Sequence, residues 1–342
     1  MSLVTRTEAR QLATGTALLG IVVLVGLVQV IHFAPTDRNQ DIYFVFVEGQ
    51  RILAGENPYE RVLGGDFRTN DKYATYFPLF YELSALTQAL GLSAWDDWIL
   101  FWRVVFGVAN VGVTLLLFET CRRRGAAWLG VFAAALWGLG RWNLFVVQIA
   151  HLDFLPIFFL LLSLLWLRER PTASFLLYGV SLSLKQIGIF VAPLYLVWVW
   201  QQSGGDLKRV ARAGAWIALV PVVTSLPFLL WNAEGFVSSV LFSAVRDARS
   251  HFGTLGIASA FGLSGPLARL PMIALLAGVY GLAASRKTGI YTSCLLVFAV
   301  FVDFNSVFYT HYPIWVVPFV GTAALDAIRP PTGLAAWLRP RG

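Results

Sequence analysis

Apolar runs of about twenty residues recur along the whole chain, and they constrain its fold more than any other feature. Of its 342 residues, 57% are hydrophobic and 13% are charged, whereas soluble domains carry about 25% charged residues. A run of about 20 apolar residues is long enough to cross a bilayer as a helix. Because the bilayer core offers the backbone no water to bond, such runs fold as helices. We therefore expect an all-α, polytopic bundle of transmembrane helices that forms a single domain over residues 1–342.

The basic residues lie mainly between these runs. Their clusters are Arg6 with Arg10, residues 122–124, Arg168 with Arg170, Lys208 with Arg209 and Arg212, Arg286 with Lys287, and Arg329 with Arg339 and Arg341. Loops rich in Lys and Arg stay on the cytoplasmic side of a membrane. The net charge of +7 is therefore explained by topology, and we expect a bilayer rather than a nucleic acid as partner.

One arrangement places every basic cluster in the cytoplasm. It has about ten spans, at 12–34, 98–121, 126–143, 153–168, 172–186, 187–201, 211–231, 266–285, 289–306 and 312–328. Both termini are then cytoplasmic in a plasma (inner) membrane, and the loops 35–97 and 232–265 face outward. The segment 76–92 is apolar enough to span as well, but a span there would invert every later cluster. We predict instead a helix that lies in or dips into the outer leaflet.

The first outer loop, 35–97, is long and polar. Between Asp41 and Leu53 the apolar residues follow helical spacing, with Glu48 and Arg51 on the opposite side. Gly55 is expected to end this helix. A second outer helix is predicted near residues 236–245. The bundle should thus carry amphipathic helices on its outer face.

Ionisable residues from several predicted spans reach the same outer depth. They are Arg141, Asp153 with Gln148 and His151, Lys185, and Asp303 with His311. Such residues are costly in a membrane and usually face a cavity or a partner. Each alone is explained as an interfacial or paired charge, but together they predict a cavity suited to an anionic lipid headgroup such as a phosphate. Asp41 heads the loop helix above this level. It can be a first-turn or capping acid or a reacting carboxylate, and Asp37 competes for either role.

The order of short motifs resembles a known family. Asp41-Ile-Tyr precedes Leu-Ala-Gly-Glu-Asn-Pro-Tyr59, and Tyr76-Phe-Pro-Leu-Phe-Tyr follows. Gln148-Ile-Ala-His-Leu-Asp153, Gly179-Val-Ser-Leu-Ser-Leu-Lys185-Gln-Ile-Gly and Thr310-His-Tyr-Pro-Ile-Trp-Val-Val-Pro318 come later. The chain resembles the GT-C superfamily of membrane glycosyltransferases, in particular the bacterial polyprenyl-phosphate-mannose-dependent α-mannosyltransferases. The resemblance implies a polyprenyl-monophosphate sugar donor and an acidic base in the first outer loop, where Asp41 matches.

On this resemblance we expect an inverting glycosyltransferase whose active site faces outward and whose acceptor is a lipid or glycan. Asp41 is the expected base, and Lys185, His311 and Arg141 are expected to bind the donor phosphate. The residues expected to contact substrate are Tyr59, Tyr76, Gln148, His151 and Asp153, together with Arg246, Arg249 and His251 in the possible acceptor loop 232–265. No cofactor or metal is expected, although Asp41 and Asp153 could hold a divalent ion if they approach. Two other hypotheses stay open: a polyprenyl-phosphate carrier or other transporter, and a non-catalytic lipid-binding subunit.

Overall fold

The computed structural model describes residues 6–65, 72–245, 254–263, 265–305 and 307–328. This part of the chain is helical except for turns and one antiparallel pair of two-residue strands, β1 (Thr254–Leu255) and β2 (Val307–Phe308). The α-helices are α1 (Arg6–Ile31), α2 (Asp41–Leu53), α3 (Leu79–Ala89), α4 (Trp95–Arg122), α5 (Ala127–Gly138), α6 (Arg141–Gln148), α7 (Phe154–Trp166), α8 (Pro171–Leu184), α9 (Ala192–Gln202), α10 (Leu207–Trp231), α11 (Ala233–Val245), α12 (Ile257–Ala260), α13 (Leu270–Ala284), α14 (Ile290–Phe304) and α15 (Val317–Ile328). Short 3-10 helices cover Glu60–Gly64, Gln186–Val191, Gly265–Arg269 and Tyr312–Trp315. The all-helical prediction is confirmed.

Four helical segments of the described chain are long and apolar enough to cross a membrane. They are Glu8–Ile31, Trp95–Arg122, Leu207–Trp231 and Leu267–Ala284. The pair α5 and α6 makes a fifth if the two count as one span, because they meet at a bend of 44°. Length and composition thus support four or five spans.

Each of the ten predicted spans overlaps a helix, but several of those helices are short. α7, α8, α9, α14 and α15 have 11 to 15 residues, so each rises roughly 16–22 Å. The hydrocarbon core of a bilayer is about 30 Å thick. The ten-span topology therefore stays a prediction.

Both helices predicted in the outer loops are present. α2 covers Asp41–Leu53, as expected, and Gly55 follows it with a φ of +77°. The Glu56 and Gly55 amides donate to the carbonyls of Arg51 and Ile52, which is the Schellman arrangement that a residue with positive φ permits. α11 is the second predicted outer helix.

Segment 76–92 forms only the eleven-residue helix α3, which rises roughly 16 Å and is too short to be a full span. α3 packs along α2, and the Gln88 side chain donates to the Phe46 carbonyl at 3.0 Å. This contact joins the two helices of loop 35–97 to each other.

The bundle is organised around α4, which packs against α5 and α7, while α7 packs on α8 and α8 on α10. A buried polar network joins α4, α5 and α6. Asn110 and Asn143 exchange amide hydrogen bonds of 3.0 and 2.8 Å, and the Trp137 indole donates to Asn110 at 2.8 Å. Because these amides find partners inside the core, their burial is compensated. The network fixes the bent α5–α6 unit that precedes the functional cluster.

Candidate functional site

Five ionisable side chains singled out in the sequence meet at one place. Asp41 is the first residue of α2, His151 and Asp153 lie in the turn between α6 and α7, Lys185 follows α8, and His311 precedes the 3-10 helix Tyr312–Trp315. The prediction that ionisable groups from different helices converge is correct for His151, Asp153, Lys185 and His311. Asp41, which was expected above their level, joins them through its contact with His151.

Asp153 is the centre of the buried part of the cluster. Its Oδ1 atom accepts from the Lys185 ammonium at 2.6 Å and from the Trp315 indole at 2.9 Å. Its Oδ2 atom lies 3.0 Å from His151 Nδ1. All four side chains are buried. A buried ion pair needs such further polar contacts to offset the cost of removing both charges from water.

Asp41 lies at the exposed edge of the cluster, with 36% of its side chain accessible. Its Oδ1 atom accepts from the Lys72 ammonium at 2.7 Å, and its Oδ2 atom lies 3.7 Å from His151 Nε2. Burial raises the pKa of Asp41, but the His151 ring and the Lys72 ammonium outweigh burial and hold the pKa well below its usual range. Asp41 is therefore a carboxylate at neutral pH.

The turn that carries His151 is built by the end of α6. Ala150 has a φ of +52°, and the His151 and Ala150 amides donate to the carbonyls of Val146 and Val147. A residue other than glycine in this conformation costs about 1 kcal/mol or more. The buried Arg103 guanidinium, on α4, donates to the Val147 and Gln148 carbonyls at 2.8 and 3.2 Å. These carbonyls belong to the C-terminus of α6, where a cation is favoured, so Arg103 holds the turn against α4.

Lys185 is positioned by the end of α8. Its backbone is extended, with φ −159° and ψ 122°, and the next residue starts the 3-10 helix Gln186–Val191. The Tyr178 hydroxyl donates to the Gly188 carbonyl at 2.6 Å, which ties that 3-10 helix back to α8. The Gln186 amide donates to the Thr75 carbonyl and so connects Lys185 to the first outer loop.

A cavity of about 560 Å³ adjoins the cluster. Asp41, Lys72, Lys185 and His311 lie in its wall, whereas His151 and Asp153 lie behind that wall. Tyr76 also lines the cavity, and the Lys185 ammonium lies 5.3 Å from the centre of its ring. The remaining lining residues are Phe44, Val45, Glu48, Tyr73, Thr75, Phe77, Tyr81, Gln186, Ile187, Ile189, Phe190, Val240, Leu241, Phe242, Arg269, Met272, Ile273, Phe301, Asn305, Tyr309 and Tyr312.

One side of the cavity is apolar and open to the surroundings. Ile189, Leu241 and Ile273 line it and have 46–56% of their surface exposed. Ile273 belongs to a helix that is long and apolar enough to cross a membrane. The cavity therefore joins a charged wall to an apolar opening.

Several predicted site residues lie away from the cavity. Tyr59 is buried among Phe228 and Phe236, and its hydroxyl donates to the Tyr76 carbonyl at 2.8 Å, which is a structural contact. Gln148 is exposed at the end of α6, and Arg141 is exposed at its start, over the Trp142 ring.

Asp303, which was expected at the same depth as His311, is exposed on α14 and does not line the cavity. Arg246, Arg249 and His251 lie outside the described residues. The possible acceptor loop is therefore seen only in part, through α11 and residues 254–263.

Three charged residues that line the cavity were missed or misplaced: Lys72, Glu48 and Arg269, whose guanidinium donates to Asn305 at 3.2 Å. Lys72 was missed because its contact with Asp41 joins residues 31 positions apart, which no local pattern reveals. Glu48 was expected on the polar side of α2, but it is buried and lines the cavity. The spacing of Asp41, Phe44, Val45 and Glu48 places them on one helix face, and this signal could have identified Glu48.

Burial raises the pKa of Glu48, and its two arginine neighbours oppose that effect. Arg61 donates to Glu48 Oε1 at 2.9 Å, and Arg51 Nε lies 3.7 Å from Oε2. Glu48 is therefore a buried, paired carboxyl, two helical turns along α2 from Asp41.

A divalent cation fits this site poorly. His151, Asp153 and His311 each offer a ligand atom within 4.8 Å of the others. However, the Lys185 ammonium already occupies Asp153 Oδ1, and its charge opposes a cation there. Asp41 and Asp153, the pair considered from the sequence, are separated by the His151 ring rather than in direct contact.

The arrangement offers a carboxylate at a cavity wall, two ammonium groups that an anion can approach, and an apolar opening. These are the elements needed to bind an amphiphile with an anionic headgroup and to remove a proton beside it. Comparison of the chain with protein families, with curated proteins and with solved structures finds no match.

Proposed function

We propose that this protein is an inverting glycosyltransferase that uses a polyprenyl-monophosphate sugar as donor. The sequence resemblance favours mannose as the sugar and a lipid or glycan as acceptor. One observation carries the proposal: the Asp41 carboxylate and the Lys185 ammonium line the same cavity, whose other side is exposed and apolar. A phosphate joined to a long hydrocarbon chain matches both halves of that cavity.

In the proposed reaction the acceptor oxygen attacks the anomeric carbon of the donor sugar. Asp41 accepts the hydroxyl proton as the new carbon–oxygen bond forms. The bond between the anomeric carbon and the phosphate oxygen breaks, and its electron pair leaves with the polyprenyl phosphate. A single displacement inverts the anomeric centre, so a β-linked donor gives an α-linked product. Asp41 alone serves as base, in contrast to glycosidases, which use two working carboxylates.

The leaving phosphate gains negative charge during this step, and cations aimed at it stabilise the transition state. Lys185 and His311 line the cavity beside Asp41 and are our candidates for this role. Lys72, which also lines the cavity, is a further cation within reach. The polyprenyl chain of the bound donor would extend past Ile189, Leu241 and Ile273 toward lipid, and burial of its methylene groups there favours binding.

We further propose the ten-span topology, with cytoplasmic termini and the cavity on the outer face of the plasma membrane. The basic clusters between the apolar runs support this orientation. The short helices α7, α8, α9 and α14 are compatible with it, because helices shorter than a span are tolerated where they border protein or a water-filled cavity.

Sugar transfer by purified, reconstituted protein tests the proposal. The reaction would contain labelled polyprenyl-phosphate-mannose and a crude membrane-lipid extract. We expect transfer by the wild type and a loss of about 10²–10⁴-fold in Asp41→Asn, as removal of a general base predicts. Asp37→Asn is the matched control, because Asp37 is exposed four residues before Asp41 and does not line the cavity.

Other outcomes discriminate the alternatives. Transfer by both aspartate variants would keep the enzyme but remove Asp41 as its base. If no sugar on this carrier is transferred, and label crosses sealed liposomes chemically unchanged, the protein is a transporter and the proposal is wrong.

A further inference from the structure

The His151 ring lies between the two carboxylates of the site. Its Nδ1 atom is 3.0 Å from Asp153 Oδ2, and its Nε2 atom is 3.7 Å from Asp41 Oδ2. The two carboxylates come from different parts of the fold, since Asp41 begins α2 in the outer loop and Asp153 precedes α7 in the bundle. His151 is therefore the side chain through which the buried cluster reaches the cavity carboxylate.

The inner end of this chain of contacts is held firmly. Asp153 is fully buried, and the Lys185 ammonium and the Trp315 indole both bind its Oδ1 atom. The His311 ring stacks on His151 with 4.4 Å between the ring centres, which fixes the plane of the imidazole. Groups held in this way by a second layer of contacts can set the orientation of a reacting group.

His151 itself does not touch the cavity. It is 2% exposed and does not belong to the cavity wall, whereas His311 does. Its contacts with both carboxylates lack full hydrogen-bond geometry. Catalytic hydrogen bonds are often long in the free enzyme and tighten when substrate binds. The direct role in substrate contact that the sequence favoured for His151 is thus replaced by a role through Asp41.

Lys72 alone does not fix the orientation of the Asp41 carboxylate. The Lys72 side chain is 34% exposed and lines the cavity, so a donor phosphate competes with Asp41 for its charge. The His151 ring is shielded from that competition, because it approaches the other carboxylate oxygen, Oδ2, from inside the protein.

We propose that His151 is a positioning residue that orients the Asp41 carboxylate toward the acceptor hydroxyl, with Asp153 as its anchor. The inference rests on the proposed function, in which Asp41 is the base. It assigns the order Asp153, His151, Asp41, where the base is oriented by a second group and that group by a third.

Two substitutions separate orientation from simple packing. His151→Gln places an amide near the position of Nε2, facing Asp41, whereas His151→Asn places one near the position of Nδ1, facing Asp153. We expect kcat to fall about tenfold to a hundredfold in His151→Asn, since small misplacement of a catalytic group has effects of that size, with the donor KM little changed. His151→Gln should recover most of this loss. Equal activities of the two variants, or an effect on KM alone, would overturn the inference.

A spectroscopic measurement tests the contact without turnover. In protein labelled with ¹⁵N-histidine, the His151 signals are assigned by their loss in His151→Gln. Asp41→Asn should then shift the His151 ring signals, and Asp37→Asn should leave them unchanged. Identical spectra for wild type and Asp41→Asn would overturn the inference.

The two measurements also separate this inference from the proposed function. If Asp41→Asn shifts the His151 ring signals but the wild type transfers no sugar, His151 still holds Asp41 and the glycosyltransferase proposal is refuted. An active wild type whose two His151 variants are equally active would refute only the positioning role.

Discussion

The Lys72 ammonium lies 2.7 Å from Asp41 Oδ1 and closes a contact between the start of α2 and a residue 31 positions later. Lys72 holds a positive φ of 53°, a conformation that residues other than glycine rarely adopt. The carboxylate proposed as base is thus neutralised by a cation that belongs to the same cavity wall. A strongly paired carboxylate is a weak base, because the cation stabilises its charged form.

Replacing Lys72 by Gln should change the pH dependence of transfer. Loss of the ammonium removes one of the groups that lower the pKa of Asp41, so that pKa rises. The base is then protonated at a higher pH than in the wild type, and the acid limb of the kcat profile should move upward. A pH–rate series with saturating donor measures the shift.

Lys72→Arg is the control for this prediction. It keeps a positive charge beside Asp41, and the acid limb should stay close to that of the wild type. Equal profiles for the Gln and Arg variants would show that the charge of residue 72 does not govern Asp41.

The Lys185–Asp153 pair should show strong coupling in stability. Removing one partner leaves a buried charge without its counter-ion, which typically costs about 3–5 kcal/mol. We expect Lys185→Met and Asp153→Asn each to be destabilised on this scale, and the double variant to be less destabilised than the sum of the two. Unfolding of all four proteins in one detergent gives the coupling energy, and additive effects would contradict a direct pair.

The sequence predicted the local elements well and the long-range contacts poorly. The bounds of α2 and its end at Gly55 follow from helical periodicity and turn chemistry, which are local. The meeting of Asp153 and Lys185 was predicted, because ionisable residues at similar helix ends reach similar depths, whereas Asp41 was expected above that level.

Burial was the main quantity that the sequence pattern did not supply. Glu48 has the spacing of a polar helix face, but it lines the cavity and its carboxylate accepts a hydrogen bond from Arg61. Tyr59 carries an aromatic ring and a hydroxyl, which suit a substrate contact or a core position equally, and only packing against Phe228 and Phe236 decides between them.

A bulky residue at the apolar opening should impede a long-chain donor. Ile273 lines the opening and is 56% exposed, whereas Leu282 on the same helix, α13, is 39% exposed and does not line the cavity. We expect Ile273→Trp to raise the donor KM about tenfold and Leu282→Trp to leave it unchanged. Equal donor KM values in the two variants would place the hydrocarbon chain elsewhere.

Glu82 on α3 should make stability fall as the pH rises. Burial raises the pKa of Glu82 from 4.5 to about 7 in the folded protein. The folded state therefore binds a proton more tightly than the unfolded state, and stability decreases between about pH 4.5 and pH 7. Glu82→Gln removes this titration, so the variant should gain thermal stability relative to the wild type at pH 8 and lose that advantage at pH 4.5. Glu56→Gln, at an exposed position, is the control for the loss of one negative charge. A constant difference between Glu82→Gln and wild type across this range would mean that the carboxyl titrates alike in the folded and unfolded states.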